Sequence, residues 1–142
     1  MNINQALKEK ARIVRHLDGL YRILSEYNSI ESGNPRHYSI TDTIDEIGRV
    51  TLDLVELKTK IHKANVPVYD KIFNLSELKS GIKKLKEMPV TEGKKLSMYG
   101  SSVENLEVEV NAHERDSIVL NMQRDIDKLQ DELDVHNATT YI

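Results

Sequence analysis

Five histidines carry the first candidate chemistry in this 142-residue chain: His16, His37, His62, His113 and His136. A zinc protease needs two of them one helical turn apart around a glutamate, and no His-Glu-x-x-His occurs. A di-iron bundle needs Glu-x-x-His on two helices. Here Glu132 precedes His136 by four residues, and there is no second copy. His113 beside Glu114 and Asp116 has the residue types of a metal corner, but a helix cap explains the cluster with fewer assumptions. No Gly-rich phosphate loop follows a strand, and no serine sits in a nucleophile elbow. The absence of cysteine removes disulfides and thiol catalysis. The acidic run Asp125, Asp127, Asp131, Glu132 and Asp134, with Arg124 and Lys128, reads as the wet face of a helix. Its local ion pairs are worth about a few tenths of a kcal/mol each. The expectation is a protein with no catalytic centre, no cofactor and no resident metal.

Charge is the second candidate. The net charge of −3 conceals a polarity: residues 101–142 hold 3 basic and 10 acidic groups, whereas residues 69–100 hold 7 basic and 4 acidic. Lys79, Lys83, Lys84 and Lys86 surround a Leu/Ile stripe, the composition of a helix that touches anionic membranes. A docked helix with a solvated basic rim accounts for the same residues, and is preferred. Nucleic acid is not expected, because the chain is acidic overall and the basic patch lacks interleaved aromatics for stacking. No stretch approaches the roughly 20 apolar residues of a membrane span, and residues 1–10 hold no apolar run of signal-peptide length, so a cytoplasmic setting is expected.

The elements that position these groups are written in apolar spacings of three and four. Ile3, Leu7, Val14, Leu17, Tyr21 and Leu24 predict a helix over about 3–27, opened by Asn2 with Gln5 as a capping box. Ser39 with Asp42 opens a second over about 40–63, carried by Ile40, Ile44, Ile47, Leu54 and Ile61 and ended before Pro67. The loop between them predicts an antiparallel hairpin. Residues 66–73 read as two short strands. Asn74 with Glu77 is taken as the cap of a third helix over about 75–87, which ends at Pro89 and Gly93 and contains Gly81 at a cost of about 1 kcal/mol against Ala. Met98 to Ser102 reads as a turn or loop. Leu106-Glu107-Val108-Glu109-Val110 alternates as a half-buried strand does, within a strand region over about 104–110. Asn111 with Glu114 caps a final helix over about 112–137, with the stripe Val119, Met122, Ile126, Leu129 and Leu133. One mainly α (α+β) domain spanning 1–142 is expected.

With Ile13, Leu20 and Ile23 on the first helix, and Val50 and Leu57 on the second, both apolar arcs are too wide for one neighbour. Leu17, Leu24, Leu54, Leu129 and Leu133 are the seam or oligomer candidates at the centres of the stripes. Asn65, in step with Thr51, Ile44 and Ile61, is either a polar seam residue that sets register and partner number, or a helix C-cap before Pro67.

Four short stretches extend the reading over nearly the whole chain: Asn4-Gln5-Ala6-Leu7, Ile61-His62-Lys63-Ala64-Asn65, Asn74-Leu75-Ser76-Glu77-Leu78 and His136-Asn137-Ala138-Thr139-Thr140. They resemble the "aEAL", "I-N-x-T-N", "tLtEAL" and "xNWTT" motifs of the septicolysin-like proteins of bacteria. The resemblance implies a long helical hairpin with further helices, a little β structure and self-association. Ala138 replaces that family's aromatic residue, and a thiol-dependent lytic activity has no cysteine here to carry it. The expected role is a non-enzymatic assembly or interaction protein acting as a homo-oligomer, with a membrane-active, septicolysin-like lytic protein as the alternative.

Overall fold

The computed structural model describes residues 1–96, 100 and 102–142. Among them the chain is mainly α, with four α-helices, one 3-10 turn and a two-stranded antiparallel sheet. It forms two compact units, residues 1–67 with 135–142 and residues 68–134. The first boundary falls directly after Pro67, where the helical run changes character.

The first unit is a helical hairpin. α1 (Ile3–Tyr27) starts on the expected capping box: the Asn2 side chain accepts from the Gln5 amide, and the Gln5 side chain accepts from the Asn2 amide. Arg36 closes its other end by donating to the carbonyls of Tyr27 and Asn28 at 2.9 and 3.0 Å, which satisfies acceptors that a helix C-terminus leaves bare. α2 (Ile40–Asn65) starts on Ser39, whose hydroxyl accepts from the Asp42 amide. The helices are antiparallel, as His16 beside Glu46 and Leu17 beside Ile47 and Val50 require. Leu17, Ile47 and Val50 form the buried core, flanked by Ile13, Leu20, Leu24 and Leu54. The chain's two ends also meet in this unit. Asn2 bridges Tyr141, the Ile3 amide donates to the Thr140 carbonyl at 3.1 Å, and the Ile142 amide donates to the Met1 carbonyl at 3.0 Å. Ile3 and Ala6 are fully buried there.

In the second unit, the two strands expected over 66–73 are not formed. Val66–Val68 make a 3-10 turn and α3 (Tyr69–Glu87) follows at once. Proline's fixed φ suits a helical turn as well as an extended one, and Tyr69 and Phe73 stack at 5.4 Å, the i, i+4 spacing of a helix. Asn74 is thus an interior residue of α3, not its cap; Val68 holds that place without a side-chain bond. Met88 is extended, as a residue before proline prefers, and ends the helix.

β1 (Gly93–Leu96) pairs antiparallel with β2 (Val103–Leu106), Gly93 opposite Leu106 and Leu96 opposite Val103. β2 thus covers residues 104–106 of the strand expected over about 104–110, and the ladder stops at Leu106. Leu106, Val108 and Val110 are nonetheless half-buried, with Glu107 and Glu109 exposed, so the sidedness holds without the strand. The turn expected at Met98 to Ser102 lies largely outside the described residues. α4 (Ala112–Thr139) opens on Asn111, whose side chain accepts from the Glu114 amide at 2.8 Å. Within this unit it runs antiparallel to α3: Lys71 meets Glu132 at 3.2 Å, and Gly81 faces Met122. A Cβ on Gly81 would lie 2.9 Å from the Met122 terminal methyl, so the glycine lets the helices approach.

Candidate functional site

The groups that might carry chemistry are dispersed. Among the described residues no three of His, Cys, Asp or Glu gather in metal-binding range. His16 pairs with Glu46 at 3.6 Å, and the His136 Nδ1 meets the Thr140 hydroxyl at 3.1 Å. Beside His113, the Asp116 carboxylate is taken by Arg115 and the Glu114 amide by the Asn111 cap. A hollow of about 340 Å3 lies against the α1–α2 loop, lined in part by Glu31, Arg36 and His37, but its guanidinium is spent on the end of α1. A second, of about 260 Å3, sits beside α3 and α4 at Asn74, Leu78, Lys128 and Leu129. The shifted acid–base groups are ion pairs on the helix surfaces. Hydrogen bonds from Arg12 and from Lys60 hold the Glu9 and Glu56 carboxyls below their ordinary range, and Glu9 in turn raises Arg12. Such surface pairs are worth about 0–1 kcal/mol each.

What the first unit does present is uncovered apolar surface. On α1, Leu7, Val14 and Tyr21 recur at heptad spacing and are exposed. On α2, Ile44, Leu52 and Val55 are 53%, 71% and 54% exposed. At about 100° per residue, the α1 stripe lies about a quarter turn from the α1 core face, and the α2 stripe about a third of a turn from its own. Both offsets run in the same rotational sense, which in an antiparallel pair puts the two stripes on the same flank of the hairpin.

The seam candidates lie elsewhere. Leu17 is buried at the centre of the hairpin core, with Leu24 and Leu54 packed on it. Leu133 is buried and Leu129 half-buried. Asn65 is the last residue of α2, and Val66 follows it as the C-cap. The Asn65 Oδ1 is buried with no hydrogen-bond partner, so it acts neither as a cap nor as a paired seam residue within the chain. Sequence reasoning ranked the centres of the stripes and passed over their flanks. Leu52 and Gly48 carried the missed signal: an apolar residue and a glycine on a helix face that the core does not use.

Among the described residues no helix is long and apolar enough to cross a membrane. No family model matches the chain, and neither does any curated protein or solved structure.

Proposed function

We propose that this chain is a non-enzymatic helical assembly protein that acts as a cytoplasmic homo-oligomer. The observation that carries the reading is the pair of exposed stripes on one flank of the hairpin, Leu7, Val14 and Tyr21 beside Ile44, Leu52 and Val55. Scattered surface apolar residues are normal in soluble proteins, whereas contiguous rows of them mark association surfaces. Fully burying a side chain of this size stabilises by about 1.5–3 kcal/mol, and these six are 37–71% exposed, so roughly half of that remains to be gained at each on association. The resemblance to the septicolysin-like proteins supports the same reading, since it implies a self-associating hairpin.

Thermal melting over a dilution series tests it. An oligomer gains stability with concentration by mass action, so the melting temperature should climb over a hundredfold rise in protein. A constant melting temperature would refute self-association. Co-sedimentation with anionic vesicles separates the lytic alternative. The assembly reading expects the protein in the supernatant at low and high salt, and the lytic reading expects salt-sensitive pelleting through Lys79, Lys83, Lys84 and Lys86.

A further inference from the structure

We propose that the exposed face of α2 docks on α2 of a second copy, antiparallel, about a two-fold axis near Thr51 and Leu52, with Gly48 receiving the partner's Val55. This rests on the self-association reading and adds its surface, orientation and register.

At about 100° per residue, Ile44, Gly48, Thr51, Leu52, Val55 and Thr59 fall within one arc of about 100°. All six are exposed, and no Asp, Glu, Lys or Arg between positions 44 and 59 shares the arc. A solvated helix face of that length ordinarily carries charge. The charges lie off the arc, and they are polarised along the helix. The first half of α2 holds Asp42, Asp45 and Glu46 against Arg49, and the second half holds Lys58, Lys60 and Lys63 against Asp53 and Glu56. Parallel pairing of two such helices sets like charge beside like. Antiparallel pairing lays the acidic half on the partner's lysine-bearing half, with Asp42, Asp45 and Arg49 each about two residues, or about 3 Å along the axis, from level with the partner's Lys63, the partner's Lys60 and the partner's Glu56. Complementary halves of this kind select the antiparallel orientation.

Gly48 gives the second, independent argument. Glycine is a poor residue for a helix interior, so it needs a reason there. Among the described residues there is none: its φ is not positive, and an added Cβ would meet nothing within 4 Å. Gly81 differs, because Met122 fills the space before it. In the antiparallel register Gly48 lies level with the partner's Val55, Thr51 with the partner's Leu52, and Ile44 with the partner's Thr59. Each contact sets a smaller residue against a larger one, which lets two helix axes come close.

Because the chain has no cysteine, single cysteines report the register directly. Under mild oxidation, Ile44→Cys mixed with Thr59→Cys should form a crosslinked dimer. Ile44→Cys alone should not, since its two copies would stand about 22 Å apart along the axis at 1.5 Å per residue. Efficient self-crosslinking of Ile44→Cys without the mixed product would overturn the antiparallel register. Gly48→Leu should weaken association at least tenfold by light scattering while circular dichroism keeps the wild-type helicity. A wild-type protein that is monomeric defeats the self-association reading itself. An oligomeric wild type whose Gly48→Leu variant stays equally oligomeric, with no 44–59 crosslink, defeats only this surface.

Discussion

Truncation of Leu17 is the sharpest probe of the hairpin core, and Leu52 is its control. Leu17 is 9% exposed and packs with Ile47 and Val50. Leu17→Ala removes three carbons, about 2.4 kcal/mol at about 0.8 kcal/mol for each buried methylene, and near-complete burial leaves about 2.2 kcal/mol of that. A cavity term adds to it, held to about 1 kcal/mol because Ile13, Leu20 and Leu24 are only partly buried and can close on the gap. The expected loss is about 3 kcal/mol. Leu52 is 71% exposed, so the same truncation there costs the isolated chain less than about 1 kcal/mol. Urea unfolding followed by circular dichroism, at protein concentrations too low for association, measures both. At higher concentration the Leu52→Ala deficit should grow and the Leu17→Ala deficit should not, because only Leu52 lies on the surface assigned to the partner. A Leu17→Ala loss below about 1 kcal/mol, or equal losses at both positions under dilution, would refute the packing described.

Asn65→Leu is expected to raise stability by about 1 kcal/mol, since it replaces a buried acceptor that has no partner, and a drop on thermal melting would mean Asn65 has one. Asn2→Ala should cost about 1 kcal/mol, because it removes the α1 capping box together with the Asn2 Nδ2 bond to the Ala138 carbonyl; an unchanged denaturation midpoint would argue that the chain ends are not joined. Glu9 and Glu56 have lowered folded-state pKa values, so the unfolded chain binds more protons than the folded one as acid is added. Their contribution is present above the ordinary carboxylate range and is lost as pH falls through the lowered values. A Glu9→Gln, Glu56→Gln double variant should therefore lose less melting temperature than the wild type between about pH 5 and about pH 3. An identical acid limb would show that the two pairs add nothing.

Local chemistry was the legible part of the sequence. The caps at Asn2, Ser39 and Asn111 depend on a side chain and an amide three residues on, so they can be read without knowing the fold. They placed the starts of α1, α2 and α4. The same logic misplaced α3, because Asn74 and Glu77 imitate a capping box inside a helix that had already begun at Tyr69. β1 left no signal: Gly-Lys-Lys-Leu is exposed on both faces, and a strand without a buried face has no period of two. At Leu106 to Val110 the reverse occurred, since alternation records which side chains are covered and not whether the backbone pairs. The wide arcs of α1 and α2 were visible, but each is the sum of two faces. Spacing alone does not say which half meets the neighbouring helix and which is left for another chain, so Leu17, Leu24 and Leu54 were ranked above Leu52 and Val55.

The solution mass tests the central claim most directly. Sedimentation equilibrium at tens to hundreds of micromolar should give an even multiple of 16.3 kDa that dissociates on dilution. A mass of 16.3 kDa across that whole range would contradict the account, because the stripes at Leu7, Val14 and Tyr21 and at Ile44, Leu52 and Val55 would then be ordinary solvated surface.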